Sequence, residues 1–296
     1  MKRPIHFLKN KKLSKKESFL LIQLASAMKK DPGAYCSLMK GKHLSLIFEK
    51  PSLRTRLSFE VGFKAMGGEV SYLSQAEVGL GKREAIDDVA KVLSRFSDMV
   101  AIRTFKQGDL ELFAKASHIP VINALTDRYH PCQALADALT LYEHFGSLEG
   151  LRCCFVGDGN NVCQSLVDIA SLLGFFVYHT APKDYALCSK ESAYHYVETL
   201  KEAAKEADVI YTDVWASMGE EQDAQEKNKA FSSYQVTDEV LGFAKEQAVF
   251  MHCLPAHRGE EVAASVMDSK KAIVFDQAEN RMHAQKALMA YLMGLV

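Results

Sequence analysis

Short apolar runs, spaced by longer stretches of helical periodicity, set the pattern of this chain. Runs at 43–48, 70–73, 99–103, 119–124, 152–156, 175–180, 208–213, 248–253 and 272–276 have the length and side chains of buried strands. Between them, Leu13, Leu20, Leu21, Leu24 and Met28 lie near helical spacing within 9–30, opened by a Ser14/Glu17 capping box. Val89, Val92, Leu93 and Phe96 mark a later helix, and Leu166, Ile169, Ala170 and Leu173 another. Residues 74–83 read as a loop, and 219–229 as a polar, mobile loop. Strand alternating with helix predicts an α/β fold of two doubly wound domains, each a parallel sheet flanked by helices.

Polar residues with chemical potential follow the carboxyl ends of these runs: Ser52 and Arg54, Arg103, Asn161, Asp213 and Cys253. In open α/β sheets that edge is where ligands bind. After the first run, Pro51 blocks a strand ladder and suits a helix start, and Ser52-Leu53-Arg54-Thr55-Arg56 occupies the first turn. A helix start favours anions through its unpaired N–H groups and dipole, so arginines there are unexpected for helix stability alone. A bound phosphate-class anion resolves the conflict; a basic turn facing solvent is the other reading.

His130-Pro131-Cys132-Gln133 opens a helix, with His130 able to donate to a carbonyl oxygen or to cap. Gly157-Asp158-Gly159-Asn160-Asn161 lacks the third glycine of a dinucleotide fingerprint. A tight turn presenting two amides to a small carboxylate ligand fits better. Asp213-Val214-Trp215-Ala216-Ser217-Met218-Gly219 offers a carboxylate to an ammonium group, or an ordinary N-cap. His252-Cys253-Leu254-Pro255 brings a thiol to another strand end, where a cysteine by itself reads as a small buried hydrophobe. The His and Cys residues have no ligand spacing, so no metal set emerges.

Composition narrows the class. With 36 Lys+Arg against 37 Asp+Glu over 296 residues, no global basic field exists to hold nucleic acid or a membrane. Seven cysteines without a CxxC pair, and no secretion signal, point to a reduced, cytoplasmic protein. No apolar run approaches the roughly 20 residues of a membrane-spanning helix.

Taken together, the motifs resemble the aspartate/ornithine carbamoyltransferase family over nearly the whole chain. Ser52-Leu53-Arg54-Thr55-Arg56 is similar to its Ser-Thr-Arg-Thr-Arg signature, and His130-Pro131-Cys132-Gln133 matches its His-Pro-x-Gln. The Asp213–Gly219 segment and His252-Cys253-Leu254-Pro255 match the branch that acts on ornithine. The resemblance implies a carbamoyl-phosphate domain at 1–131, with helix 280–296 packing back on it, an ornithine domain at 132–279, and helices joining the two.

It also implies roles. Ser52, Leu53, Arg54, Thr55, Arg103, His130, Gln133, Cys253, Leu254 and Arg281 would contact carbamoyl phosphate, with Arg103, His130, Cys253 and Arg281 closest to the chemistry. Asn161, Asp213, Ser217 and Met218 would hold ornithine. Its δ-amine would take the carbamoyl group, giving citrulline and phosphate in arginine biosynthesis, with no cofactor and no metal. Homotrimers or multiples of trimers are implied, with Lys82 or Arg83 entering a neighbouring copy's site. Leu53 departs from the signature and resembles the branch that carbamoylates N-acylated ornithines, which leaves N-acetylornithine or putrescine as acceptors to weigh. A non-catalytic ligand sensor is the reading from another class. It predicts a missing clamp residue, and Arg54, Arg103, His130, Gln133 and Arg281 are all present.

Overall fold

In the computed structural model, which describes residues 6–216 and 224–296, the chain divides into Met1–Leu139 with Glu279–Val296, and Thr140–Ala278. The first unit runs α1 (Lys15–Lys30), β1 (His43–Phe48), α2 (Leu53–Ala65), β2 (Glu69–Ser74), α3 (Gln75–Val78), α4 (Ile86–Phe96), β3 (Met99–Arg103), α5 (Gln107–Ala116) and β4 (Val121–Leu125), into α6 (Pro131–Phe145). Its strands pair in parallel in the order β2-β1-β3-β4. Ile47, Val100, Ile102, Phe113 and Val121 form the core beneath α4 and α5.

The second unit continues with β5 (Arg152–Val156), α7 (Asn161–Leu173), β6 (Phe176–Thr180), β7 (Tyr194–Tyr196), α8 (Leu200–Ala204), β8 (Val209–Thr212), α9 (Ala224–Phe231), α10 (Asp238–Phe243), β9 (Val249–His252) and α11 (Ala264–Met267), before α12 (Val274–Leu292). Its sheet is also parallel, ordered β7-β6-β5-β8-β9. Cys154, Val156, Ile210, Phe250 and Val266 are buried together in its core. The division between units falls inside α6 and again inside α12.

Each sheet order reverses once, and that reversal positions the site. In the first sheet the chain goes from β1 to β2 on one side and returns to β3 on the other. The loops after β1 and β3 therefore part, leaving a crevice at their carboxyl ends. In the second sheet the same switch lies between β5 and β8. Ser52 and Arg103 follow the first pair of strands; Asn161 and Asp213 follow the second.

Three expectations need correction, and one strand was not foreseen. The run 272–276 is not a strand: Ala272 makes one bridge to Phe250, and α12 starts at Val274, whose side chain is buried in the second core. The polar loop expected at 219–229 is helical from Ala224, because Phe231 packs on Trp215 and Lys227 pairs with Asp158 at 2.7 Å. Within 74–83 a single helical turn, α3, forms because the Glu77 carboxylate accepts from the Ser74 backbone N–H at 2.7 Å. The edge strand β7 lacks an apolar signal, since its Tyr-His-Tyr sequence is largely exposed.

Candidate active site

The anion site begins with backbone geometry. Ser52 is extended and caps α2, its Oγ accepting from the Thr55 N–H at 3.3 Å. That leaves the hydroxyl hydrogen and the other first-turn N–H groups available to an anion. The two arginines of the motif separate here. Arg56 pairs with Glu60 at 3.3 Å and stacks 3.9 Å over the Tyr72 ring, so its guanidinium is already engaged. Arg54, half-buried, has no hydrogen-bond or ion-pair partner among the described residues. Leu53 is 70% exposed, and its backbone stays in the turn.

Arg103 is the last residue of β3, where the register against β4 shifts between Ile102 and Arg103. Such a bulge re-aims the side chain that follows it. The guanidinium is 4% exposed and donates to Thr55 Oγ1 at 3.5 Å. Arg281, from α12, is 3% exposed and donates to the same oxygen at 3.3 Å and to Gln133 Oε1 at 2.6 Å. Gln133 in turn donates from Nε2 to the buried Asp137 carboxylate at 2.8 Å.

His130 ends the preceding loop, and its carbonyl accepts from the Gln133 N–H at 3.1 Å. Burial, with Arg281 and Arg103 adding to it, holds its pKa well below the usual histidine value. The imidazole is therefore neutral near pH 7, a hydrogen-bond donor toward a carbonyl oxygen and not a strong acid. Cys132, beside it, is inert: burial pushes its thiol up to about 12. All of these groups belong to the first unit.

The second unit holds the other predicted residues. Gly159 is required by close approach, since a Cβ there would lie 2.4 Å from the Leu187 backbone nitrogen. Gly159 thus serves the chain's own packing, while Gly157 takes a φ of 133° that side chains rarely adopt. Asn161 begins α7, and Asn160 caps it. Asp213 is buried, and its Oδ1 accepts from the Val214 N–H at 2.8 Å and the Cys253 thiol at 2.9 Å. Trp215 stacks on Phe231. Ser217 and Met218 lie outside the described residues.

Cys253 and Leu254 are shaped by a buried pair behind them. His252 Nε2 lies 3.1 Å from Glu261 Oε1, and its Nδ1 accepts from the Leu254 N–H at 2.9 Å. Leu254 sits at φ 58°, a left-handed value unusual for a branched side chain. Asp213, His252 and Cys253 also bring metal-ligand atoms within 4.8 Å of one another. Both His252 ring nitrogens are already engaged, however, so the trio lacks an open imidazole.

Asp137 was absent from the expected site residues, and Asn160, expected to present its amide to a carboxylate ligand, instead commits it within the protein, Oδ1 to the α7 cap and Nδ2 to Asp213. Asp137 lies four residues after Gln133, a helical neighbour whose spacing was a usable signal. Asn160 was legible as one of two amides in the turn after β5, but its pairing with Asp213 had no local signal.

The chain matches the carbamoyl-P binding domain of aspartate/ornithine carbamoyltransferase over residues 5–143 and the Asp/Orn binding domain over 149–292. It is 48% identical to the ornithine carbamoyltransferase of Hydrogenovibrio crunogenus over 98% of both chains. With that of Archaeoglobus fulgidus the identity is 46%, covering 98% and 97%. The solved ornithine carbamoyltransferase from Pyrococcus furiosus superposes with a TM-score of 0.95 at 41% identity, covering 99% of this chain and 98% of that one. With both domains matched in order and similarity sustained from end to end, the chain belongs to the aspartate/ornithine carbamoyltransferase family.

Proposed function

We propose that the protein transfers the carbamoyl group of carbamoyl phosphate to the δ-amine of L-ornithine, giving L-citrulline and phosphate. One observation carries the anion half of this reading: two buried guanidiniums, Arg103 and Arg281, converge on Thr55 Oγ1 at a helix start. Clustered buried cations of this kind are costly unless an anion joins them. Carbamoyl phosphate supplies one, with its phosphate at the first turn of α2 against Ser52, Leu53 N–H, Arg54 and Thr55. Its carbonyl oxygen meets Arg103, Arg281 and neutral His130, and its amino group meets Gln133.

Ornithine's carboxylate and α-ammonium are held by Asn161, Asp213, Ser217 and Met218. Cys253, hydrogen-bonded to Asp213, positions the δ-amine and forms no covalent bond. The δ-nitrogen lone pair makes the new C–N bond, and charge collects on the carbonyl oxygen. The bond to phosphate then breaks with its electrons, and the amine proton leaves on phosphate. Donors aimed at the developing oxyanion are worth roughly 3–4 kcal/mol each in comparable sites.

The same reading assigns the enzyme to arginine biosynthesis, and its seven cysteines, none in a disulfide, fit a reducing cytoplasm. It also makes the working form a homotrimer or a multiple of trimers. Lys82 or Arg83, exposed beyond the left-handed Gly79 turn, would then enter a neighbouring copy's site.

An acceptor panel with carbamoyl phosphate, following phosphate release, tests the reading. Ornithine should be turned over far faster than N-acetylornithine, putrescine or aspartate, and Arg54→Ala should lose turnover while staying folded. Turnover of N-acetylornithine but not ornithine would move the chain to the acylated branch. A folded but inactive protein would favour the sensor.

A further inference from the structure

Asn160 has both ends of its amide committed. Its Oδ1 accepts from the backbone N–H groups of Val162 at 2.9 Å and Cys163 at 3.2 Å, capping α7. Those two donors identify the oxygen end, so the nitrogen end must be the one that faces Asp213. There Nδ2 donates to Asp213 Oδ2 at 2.8 Å.

A carboxylate offers about four lone-pair positions. Among the described residues, Asp213 has two filled on Oδ1, by Val214 N–H and Cys253 S–H, and one filled on Oδ2, by Asn160. The remaining position is on Oδ2, beside the Asn160 amide. We propose that Asn160 is a positioning residue for the acceptor amino acid: it turns the Asp213 carboxylate so that its one open lone pair receives the α-ammonium. This rests on the reading of Asp213 as the ammonium anchor.

The helix cap supplies the rigidity. Because α7 holds the Asn160 oxygen through two backbone N–H groups, the amide cannot rotate away from Asp213 without uncapping the helix. Asn160 therefore links a helix terminus to the orientation of a carboxylate 53 residues later in the chain.

The two roles can be separated by substitution. Serine and aspartate both cap helices well. Asn160→Ser keeps a capping oxygen but has no amide to reach Asp213, and Asn160→Asp keeps the cap while setting a second carboxylate against the first. Full-length variants are assayed with ornithine and carbamoyl phosphate varied in turn, and melted thermally.

The expected result for Asn160→Ser is a rise of about 10- to 100-fold in KM for ornithine, the worth of one hydrogen bond to a charged group. The KM for carbamoyl phosphate and the melting temperature should stay near wild type. Asn160→Asp should be worse and should recover partly as pH falls, since two adjacent carboxylates share a proton. With 5-aminopentanoate, which lacks the α-ammonium, wild type and Asn160→Ser should turn over equally slowly.

An unchanged ornithine KM, equal losses with both acceptors, or a melting loss that accounts for every kinetic change would each overturn the proposal. Wild-type protein that fails to turn over ornithine would strike the underlying functional reading, and this inference with it.

Discussion

Replacing Arg281 with methionine is expected to cut turnover severely at modest cost to the unliganded fold. Arg103 and Arg281 donate to one hydroxyl at 3.5 Å and 3.3 Å, so those two nitrogens are at most 6.8 Å apart, the sum of the two distances. Two unit charges at that separation repel by about 2.4 kcal/mol at an effective dielectric of about 20. Methionine removes the repulsion and keeps most of the buried volume, but it deletes the donors to Gln133 and Thr55. Each such bond is worth roughly 1.5–3 kcal/mol. The terms offset in part, leaving a net loss of about 0.6–3.6 kcal/mol, which predicts a fall in melting temperature of no more than about 15 °C, at roughly 2–4 °C per kcal/mol for a chain of this size.

Ligand stabilisation should behave differently. Carbamoyl phosphate at about 100 times its Kd adds about 2.7 kcal/mol to the wild type, a rise on the order of 5–10 °C. Arg281→Met should lose most of that rise and roughly 100- to 1,000-fold in kcat. Thermal melts with and without carbamoyl phosphate, alongside steady-state rates, separate the effects. A variant that collapses unliganded, or that keeps the full ligand shift, would show Arg281 to be a packing strut and refute the clamp.

Two further outcomes follow from buried titratable groups. Burial lowers His179 to about 4, from 6.5, with Gly157 O accepting from its ring at 2.8 Å. A histidine with a depressed folded pKa contributes stability above its unfolded value, and that stability is lost as pH falls from about 6.5 toward 4. Between pH 7 and 5 the loss is about 2 kcal/mol from this group, so denaturant melts of His179→Gln should show a shallower acid decline; an identical slope would refute the assignment. Asp137→Asn removes a buried negative charge that meets Gln133, and it should cut kcat/KM for carbamoyl phosphate by about tenfold while sparing the KM for ornithine. Steady-state kinetics with each substrate varied would check it, and equal losses for both substrates would sink it.

Local sequence determined a great deal of this protein. Apart from the edge strand β7, the parallel strands were legible because each is a short run of large apolar residues closed by a polar turn. The Ser14 capping box was legible because its partners are three residues apart. The apolar run at 272–276 was not, since burial without periodicity suits a helix start as well as a strand, and only the single bridge to Phe250 decided it. Sequence also could not rank Arg54 against Arg56, which have the same chemistry; Glu60 and Tyr72 claim one and leave the other.

Contacts across long separations were decided by the tertiary structure alone. Cys253 meets Asp213 across 40 residues and Arg281 meets Gln133 across 148, and no local pattern encodes either pairing. The reversal of strand order in each sheet brings the loops to a shared edge, and packing then selects which polar side chains are buried there. The residue types were written along the chain; their hydrogen-bond partners, and hence their charge and orientation, were set only when the sheets closed. The contact of Asn160 with Asp213, 53 residues away, belongs to that second class, whereas Asp137 meets Gln133 within one helical turn.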